Sequence, residues 1–389
     1  MKKPLKKLAK SSKKLDGWMR EHAWPLWWKK GRLDNGTFFE ALDFDGNPAP
    51  GSVARVRVQA RQIYSLALAW KLGFRKKSLP KKLELSIDRF LDTCLGPEGL
   101  PGMLVDIESG KMTDPQPNLY VTAFSLLALA QSRKVLGGQD VDAKIERLLA
   151  AVDKHLAYPG DNGYREKLPA NTVRLQNPHM HLYESLLTLY KVTKDPQVQD
   201  RAENLLGFVK DTFFDRQSGV VHEKVNPALE MAAGDYEPGH SMEWVWLLGW
   251  RARLFDMPLD PFAVQLYEKY RASGIPEGEA PMCLTVDHKP VDPTRRLWSQ
   301  TESLKAHLTI AELGPPDLAE EALSRAVKCA NTIYGKWLNT DCPGTWYDHF
   351  DENGTMIAKD VPASLCYHLY VMVMELKRSA KKLRKKGFA

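Results

Sequence analysis

Two pairs of histidine and glutamate recur at one spacing in this sequence and could carry proton-transfer chemistry. Glu243 follows His240 by three positions, and Glu184 follows His181 by the same interval. Residues three apart lie on one face of a helix, so each carboxylate can fix the tautomer of its imidazole and raise its basicity. A third histidine, His368, begins a similar helical stretch near the C-terminal end. Histidine titrates near neutral pH, which suits removal of a proton beside a carbonyl group.

Two histidines on opposite sides of a pocket could move protons on the two faces of one substrate carbon. Arg61 and Gln300 could hold sugar oxygens, although Arg61 could instead form a buried ion pair with Glu302. No H-E-x-x-H motif, phosphate-cradling glycine-rich loop or G-x-S-x-G motif occurs, and we predict no metal ligands. The aromatic residues that could stack on a sugar ring are Tyr120, Trp246, Trp298 and Trp346.

These residues occur in a chain dominated by helical periodicity. Apolar residues recur at i, i+3, i+4 and i+7 in twelve segments, which predicts twelve helices in six consecutive pairs. The even-numbered helices carry the histidines, glutamates and tryptophans in their first two turns, whereas the odd-numbered helices are plainly amphipathic. The predicted helices are 12–28, 51–73, 84–95, 116–136, 142–156, 178–193, 198–213, 238–254, 260–273, 297–313, 318–335 and 361–378.

The linkers that lead into the even-numbered helices repeat a pattern of an aromatic residue, an acid and a glycine-containing turn. Examples are 38–46, 161–166, 214–223 and 346–354. A diffuse repeat of roughly 55–65 residues is typical of stacked helical hairpins. We therefore predict an all-α fold, an (α/α)6 barrel of six helical hairpins with short β-hairpin loops at one end. The even-numbered helices would form the inner layer, and their polar N-termini would converge on one pocket.

The charge of the chain is concentrated at its ends. Residues 1–14 contain seven lysines and residues 377–389 contain seven lysines or arginines, with no acid in either stretch. The whole chain carries +7, so the region between the two ends has a net charge of −7. We predict a basic N-terminal extension over 1–14, one catalytic domain over 15–380 and a basic C-terminal tail over 381–389.

The composition also limits the function classes. The 5 cysteines include no CxxC pair, which argues against a disulfide scaffold or a zinc finger and favours a reducing, cytoplasmic location. No apolar run reaches membrane-spanning length, and no secretory signal follows the first lysines. We expect a small monosaccharide as the only partner, with no nucleic acid and no membrane, in a monomer or homodimer.

Several motifs in order give the sequence a resemblance to the N-acylglucosamine 2-epimerase family. They are RVRVQARQIYSLALAW, NPHMHLYESLL, EPGHSMEWVWLLGW, RLWSQTESL, WYDHFDENG and PASLCYH, and they span almost the whole chain. The resemblance implies the same (α/α)6 barrel. It implies catalytic roles for His240 and His368, with Glu243 orienting His240. It also implies that the substrate is bound by Arg61, Asn177, His181, Glu184, Trp298, Gln300 and Glu302. We add Tyr120 and Trp346 to this set from their aromatic rings alone.

The resemblance also implies a mechanism. The sugar ring opens, one histidine removes the C2 proton, and an enediol or enediolate forms without a metal or a nicotinamide. A proton returned to C1 gives a ketose, and one returned to the opposite face of C2 gives an epimer. We favour interconversion of D-mannose and D-fructose, with D-lyxose and D-xylulose as a further pair. The alternatives are an N-acylglucosamine or mannose 2-epimerase, a mannose-6-phosphate isomerase, an inverting glycosidase and a catalytically silent sugar-binding barrel.

Overall fold

A computed structural model describes residues 2–170, 173–231 and 234–386, and helices dominate these residues. About 58% of the chain is helical and the strands are short, which confirms the predicted all-α class. The α-helices are α1 (Lys2–Trp18), α2 (Trp24–Lys30), α3 (Val56–Lys71), α4 (Leu79–Cys94), α5 (Leu119–Leu136), α6 (Gln139–His155), α7 (Gln176–Thr193), α8 (Pro196–Thr212), α9 (Pro238–Phe255), α10 (Pro261–Ala272), α11 (Leu297–Leu313), α12 (Pro316–Thr332) and α13 (Leu365–Lys386).

Two stretches of π-helix join or extend these helices. Met19–Ala23 connects α1 to α2 without a break, and Ile333–Trp337 continues α12. The described residues therefore form twelve continuous helical rods, which confirms the predicted number.

The rods form two concentric layers. Helices α3, α5, α7, α9, α11 and α13 contact one another in that order, and α13 closes the inner ring against α3. Inner helices are buried almost all round; in α11, fifteen of the residues from Leu297 to Leu313 are buried. Outer helices such as α12 bury only one apolar stripe, as expected for a helix with one face in water. The even-numbered rods of the sequence analysis are thus the inner layer.

Short antiparallel strands lie at one end of the barrel, where the inner helices begin. β2 runs directly into α3, β5 into α7 and β12 into α11, so these loops surround the open end of the inner ring. The pair β1–β14 joins the first and last linkers across the closure of the ring. The strands are β1 (Ala41–Leu42), β2 (Val53–Arg55), β3 (Leu104–Asp106), β4 (Met112–Asp114), β5 (Arg174–Leu175), β6 (Phe214–Asp215), β7 (Val220–Val221), β8 (Lys224–Val225), β9 (Asp235–Tyr236), β10 (Cys283–Thr285), β11 (Pro290–Asp292), β12 (Arg295–Arg296), β13 (His349–Phe350) and β14 (Val361–Pro362).

The repeated acids of the linkers tie neighbouring inner helices together. Glu40, Glu166 and Glu223 each use the backbone carbonyl to accept an N–H at the start of one inner helix. Each also uses its side chain to accept the N–H just before the next inner helix, as a helix cap would. The donors are Ala363, Leu119 and Gln176 to the carbonyls, at 3.0, 2.9 and 3.0 Å, and Arg55, Leu175 and Glu237 to the side chains, at 2.9, 2.7 and 3.4 Å.

The basic ends are part of the barrel rather than appendages, which corrects the predicted boundaries at residues 14 and 381. Helix α1 begins at Lys2, and Leu8 and Leu15 bury their side chains completely where α1 packs on α12 and α13. Helix α13 likewise continues to Lys386. The lysines lie on the solvent side of an apolar stripe, which their number obscures in the sequence. Met1 and residues 387–389 of the predicted ends lie outside the described residues. No described helix is long and apolar enough to span a membrane.

Candidate active site

A cavity of about 610 Å³ opens at the centre of the inner ring, at the end that carries the strands. Every inner helix contributes to its wall, because each begins at this end with polar residues in its first two turns. The structure brings eight of the twelve predicted site residues into the wall. They are Arg61, Tyr120, Asn177, His181, His240, Glu243, Trp298 and His368.

Two predicted residues, Glu184 and Glu302, lie fully buried beneath the cavity and act through histidines. Glu184 Oε2 lies 3.2 Å from His181 Nδ1 and accepts a hydrogen bond of 2.5 Å from the hydroxyl of Tyr367. Glu302 Oε1 lies 2.9 Å from His368 Nδ1. A carboxylate on Nδ1 favours the tautomer with the proton there, which leaves Nε2 of each ring free to act as a base.

The other two predicted substrate contacts are wrong. Gln300 is fully buried, and its side-chain amide bonds to the backbone N–H and carbonyl of Ala280 at 2.8 and 2.9 Å. Trp346 is also fully buried and stacks on Trp27 with ring centroids 4.9 Å apart. Gln300 therefore fixes the loop at Ala280 through its amide, and Trp346 contributes packing through its stacked ring.

The predicted partner of His240 is also wrong. Glu243 does not bond to His240; instead both carboxylate oxygens of Glu223 lie 3.0 and 2.9 Å from His240 Nδ1. Glu237, on the preceding turn, lies 3.4 Å from the same nitrogen. Glu223 lies in the linker between α8 and α9, where it also caps the start of α9. The imidazole of His240 is thus held between two carboxylates, with its ring 4.9 Å from that of Trp298.

The two catalytic candidates differ in charge. Burial disfavours the imidazolium of His240, but the charges of Glu223 and Glu237 outweigh it and raise the pKa of His240 to about 10. Burial lowers the pKa of His368 to about 3, and the hydrogen bond that its Nδ1–H donates to Glu302 offsets this only in part. At neutral pH His240 is therefore a cationic acid and His368 a neutral base. The two rings flank Trp298, with centroids 4.9 and 6.0 Å from its ring.

Glu302 raises the pKa of His368 only in part, and a buried lysine explains why. Lys305 Nζ lies 2.5 Å from Glu302 Oε2, and both side chains are fully buried. The same ammonium lies 3.5 Å from the ring centre of Trp246, a cation–π contact. Burial raises the pKa of Glu302, but Lys305 and His368 outweigh it and lower the pKa below its ordinary value. Glu302 is a carboxylate shared between a lysine and a histidine.

Replacing Glu302 by Gln is therefore expected to destabilise the fold by about 3–5 kcal/mol, because Lys305 would be left as a buried charge without a partner. The measurement is the urea unfolding midpoint followed by circular dichroism. A matched control is Glu268→Gln, at an exposed position on α10. Adding Lys305→Met to Glu302→Gln is expected to recover part of the loss. An unfolding midpoint that stays at the wild-type value in Glu302→Gln would contradict the role assigned to this ion pair.

Glu243 lines the cavity as a neutral carboxylic acid. Burial, together with the nearby charges of Glu302 and Glu184, raises its pKa well above the ordinary range of a carboxyl group. Its Oε1 has no hydrogen-bond partner among the described residues. A protonated carboxyl at this place can donate a hydrogen bond to a sugar oxygen, which is a different role from the one predicted for it.

Arg61 on α3 and Tyr120 on α5 are hydrogen-bonded to each other, across the cavity from α9 and α11. Arg61 Nη2 donates a 2.7 Å hydrogen bond to the hydroxyl of Tyr120, and its guanidinium lies 4.0 Å from the ring centre of Phe124. The edge of Tyr120 meets the ring of His181 at 5.2 Å. Burial and the positive charge of Arg61 lower the pKa of His181 well below its ordinary value, so His181 is neutral beside the cation.

Three imidazole–carboxylate groups in the described residues have ligand atoms within 4.8 Å of one another and could in principle hold a metal ion. In each group, however, a histidine Nδ1 is already paired with a carboxylate. Glu302 is also occupied by Lys305. These contacts suit proton transfer and leave few lone pairs free for a cation.

Comparison with known proteins agrees with this fold and identifies the family. The family model described as N-acylglucosamine 2-epimerase (GlcNAc 2-epimerase) matches residues 36–372. The chain is 31% identical over 387 residues to the mannose-6-phosphate isomerase of Rhizobium meliloti (strain 1021), which covers 95% of this chain and 97% of that protein. The structure of cellobiose 2-epimerase from Spirochaeta thermophila DSM 6192 superposes with a TM-score of 0.85 at 20% identity, covering 97% and 98% of the two chains.

A crystal structure of D-mannose isomerase has a TM-score of 0.82 at 18% identity, over 94% of this chain and 97% of that chain. The family match covers most of the chain, and the helical barrel is the one that these structures share. The protein belongs to the N-acylglucosamine 2-epimerase family and is a sugar epimerase or isomerase.

Proposed function

We propose that the protein is an aldose–ketose isomerase that interconverts D-mannose and D-fructose, with D-lyxose and D-xylulose as a further pair, through a cis-enediol(ate). The observation that carries this proposal is that His240 and His368 face one cavity on either side of Trp298, each with its Nδ1 held by a carboxylate. The raised pKa of His240 and the lowered pKa of His368 suit them to act as acid and base. Proton transfer beside a carbonyl requires an unprotonated base to remove the proton and a protonated acid to donate one to the oxygen.

The protons balance in a cycle that uses both histidines. His368 Nε2 removes the proton from C2 of the open-chain aldose while His240 donates one to O1, which gives the enediol. His368 then returns its proton to C1, and His240 recovers one from O2, so a ketose forms and both rings regain their starting states. Arg61 and the carboxylic acid of Glu243 stabilise the charge that develops on the oxygens.

A 2-epimerase acting on N-acylglucosamine or mannose is the second candidate, because the same two rings support it. His240 and His368 lie on different inner helices, α9 and α13. An epimer forms if the proton returns to C2 from the ring on the opposite face. The inverting-glycosidase alternative has less support. One carboxyl oxygen of Glu243 lies within 4.8 Å of an oxygen of Glu184, and one lies within 4.8 Å of an oxygen of Glu302; inverting glycosidases typically separate their two carboxyl groups by about 6.5–9.5 Å.

Proton NMR of the protein with D-mannose in D2O tests the proposal. We expect fructose to appear, with deuterium at the transferred position when the base exchanges its proton with solvent. Glucose without a ketose would instead establish the 2-epimerase. A parallel tube of N-acetylmannosamine tests the other epimerase candidate. No conversion of either sugar would overturn the proposed activity on neutral sugars.

Activity is expected to survive incubation with EDTA, because the proposed proton transfers run between side chains. The measurement is the initial rate of ketose formation before and after chelation and dialysis. Zinc-loaded protein serves as the control for inhibition by added metal. A full loss of activity that zinc or manganese restores would contradict the metal-independent mechanism.

A further inference from the structure

Two cations in the cavity wall have no part in the chemistry above. Arg57 is on the first turn of α3, and Lys167 follows Glu166 in the linker before α7. Neither has an ion pair or side-chain hydrogen bond among the described residues, although both line the cavity. Their neighbours differ: Arg55 is paired with Glu40, and Arg296 with Asp348.

Both cations line the cavity beside the start of α5. The guanidinium of Arg57 lies 5.6 Å from the ring centre of Tyr120. The backbone of Lys167 forms a β-bridge with Asn118, the residue that caps α5. Asn118 Oδ1 accepts the N–H groups of Tyr120 and Val121, so its amide NH2 remains a donor at the same place. The positive end of the α5 dipole adds to the two charges.

The acids nearby do not cancel this charge. Burial raises the pKa of Glu166 to about 8, so this carboxyl is largely neutral at pH 7. Burial also lowers the pKa of Arg57 to about 10, as for a guanidinium that is withdrawn from water without a carboxylate partner. At that value Arg57 is still a cation at neutral pH. A partly buried cation without a counter-ion is costly for the free protein and favourable for an anionic ligand.

The position of Arg57 and Lys167 relative to the histidines indicates which part of the substrate they would contact. In the inner ring, α5 lies opposite α11, which carries Trp298. His240 and His368 flank Trp298 on the two helices beside it. A sugar with C1 and C2 between the histidines therefore extends its far end towards Arg57 and Lys167.

We propose that Arg57 and Lys167 form an anion subsite for a phosphate ester at the far end of the sugar, so that a hexose 6-phosphate such as mannose 6-phosphate is the better substrate. This inference rests on the proposed isomerase function and refines its substrate class. Phosphate oxygens accept several charge-assisted hydrogen bonds at once, and a guanidinium, an ammonium and an amide NH2 supply matching donors. The relative that is 31% identical bears the name mannose-6-phosphate isomerase, which agrees with the proposal.

The test compares the specificity of wild type with that of Arg57→Met and Lys167→Met. The readout is the ratio of kcat/KM for mannose 6-phosphate to kcat/KM for D-mannose. Each substitution is expected to lower this ratio about 10- to 100-fold, since each removes hydrogen bonds to a charged group. Lys77→Met, at an exposed position in the loop between α3 and α4, is the matched control and is expected to preserve the ratio. An unchanged ratio in both subsite variants would overturn the proposal.

Calorimetry separates this proposal from the proposed function. Wild type is titrated with mannose 6-phosphate and with inorganic phosphate, and the double variant Arg57→Met with Lys167→Met is titrated in the same way. Weaker binding of mannose 6-phosphate by the double variant supports the subsite even if no sugar is turned over. Equal binding by both proteins overturns it, whatever the activity. If Arg57→Met fails to fold, Arg57→Lys, which keeps the charge, replaces it. This variant is expected to lower the ratio of the two kcat/KM values below that of wild type, but by less than the loss of the charge would.

Discussion

Replacing His368 by Ala is expected to lower kcat for aldose–ketose conversion by about 10²–10⁴-fold, the usual contribution of a positioned acid or base. His368 is the neutral imidazole of the site because burial keeps its pKa near 3. The two carboxyl groups nearest to it are poor replacements, because Glu302 is paired with Lys305 and Glu243 is held in its protonated form. The measurement is the initial rate of ketose formation, together with the rate at which deuterium from D2O enters the substrate.

The fold is expected to survive this substitution, since Glu302 keeps its ion pair with Lys305 when the imidazole is removed. Circular dichroism and the thermal midpoint check this directly. His22→Asn, at an exposed histidine outside the cavity, is the matched control and is expected to keep wild-type rates. His240→Ala is expected to lose turnover as well. Wild-type deuterium exchange in His368→Ala would remove that residue from the proton transfer.

The sequence predicted the scaffold because its pattern is repeated. Twelve amphipathic or apolar segments, four similar linkers and a concentration of polar residues in alternate helices all indicate the same two-layered ring. The repeated acids were visible for the same reason, since Glu40, Glu166 and Glu223 occupy equivalent places in the linkers. What the sequence did not show was that such an acid can also hold the imidazole of His240.

The errors share a cause, which is that partners across the ring are chosen by geometry and not by spacing. His240 has carboxylates three positions before and after it, yet it bonds most closely to Glu223, seventeen residues earlier in the linker before α9. Lys305 has the appearance of a surface lysine in the motif S-L-K-A-H-L and is fully buried against Glu302. Gln300 was assigned to sugar binding although its helix face points to the loop at Ala280.

The basic residues of the cavity illustrate the same limit. In the motif R-V-R-V-Q-A-R, Arg55, Arg57 and Arg61 differ only in position, and the sequence singled out Arg61 alone. The structure separates them by their partners: Arg55 is neutralised by Glu40, Arg61 binds the Tyr120 hydroxyl, and Arg57 has no ion pair among the described residues. Arg57 could therefore be chosen as a candidate ligand-binding residue only after the structure showed which arginines have partners.

Replacing Glu223 by Gln is expected to move the alkaline limb of the pH–activity profile to lower pH by about 2–3 units. The carboxylates of Glu223 and Glu237 raise the pKa of His240 to about 10, against the effect of burial. His240 must be protonated to donate to the substrate, so wild-type kcat/KM should fall only as the pH rises through that value. A glutamine keeps the size and a hydrogen bond but removes the charge, and each unit of pKa corresponds to about 1.4 kcal/mol of lost interaction with the imidazolium.

At pH 9 the variant is therefore expected to lose about 10- to 100-fold in kcat/KM, and at lower pH it should approach wild type as His240 regains its proton. A merely structural role for Glu223, such as capping α9, would lower activity at every pH and leave the limb where it is. Glu230→Gln removes a charge from an exposed position on the same loop and controls for the change in net charge. The profile is measured from pH 5 to 11 with both aldose and ketose as substrates. An alkaline limb shared by wild type and Glu223→Gln would show that Glu223 does not control the protonation of His240, and the acid of the reaction would then have to be sought elsewhere in the cavity.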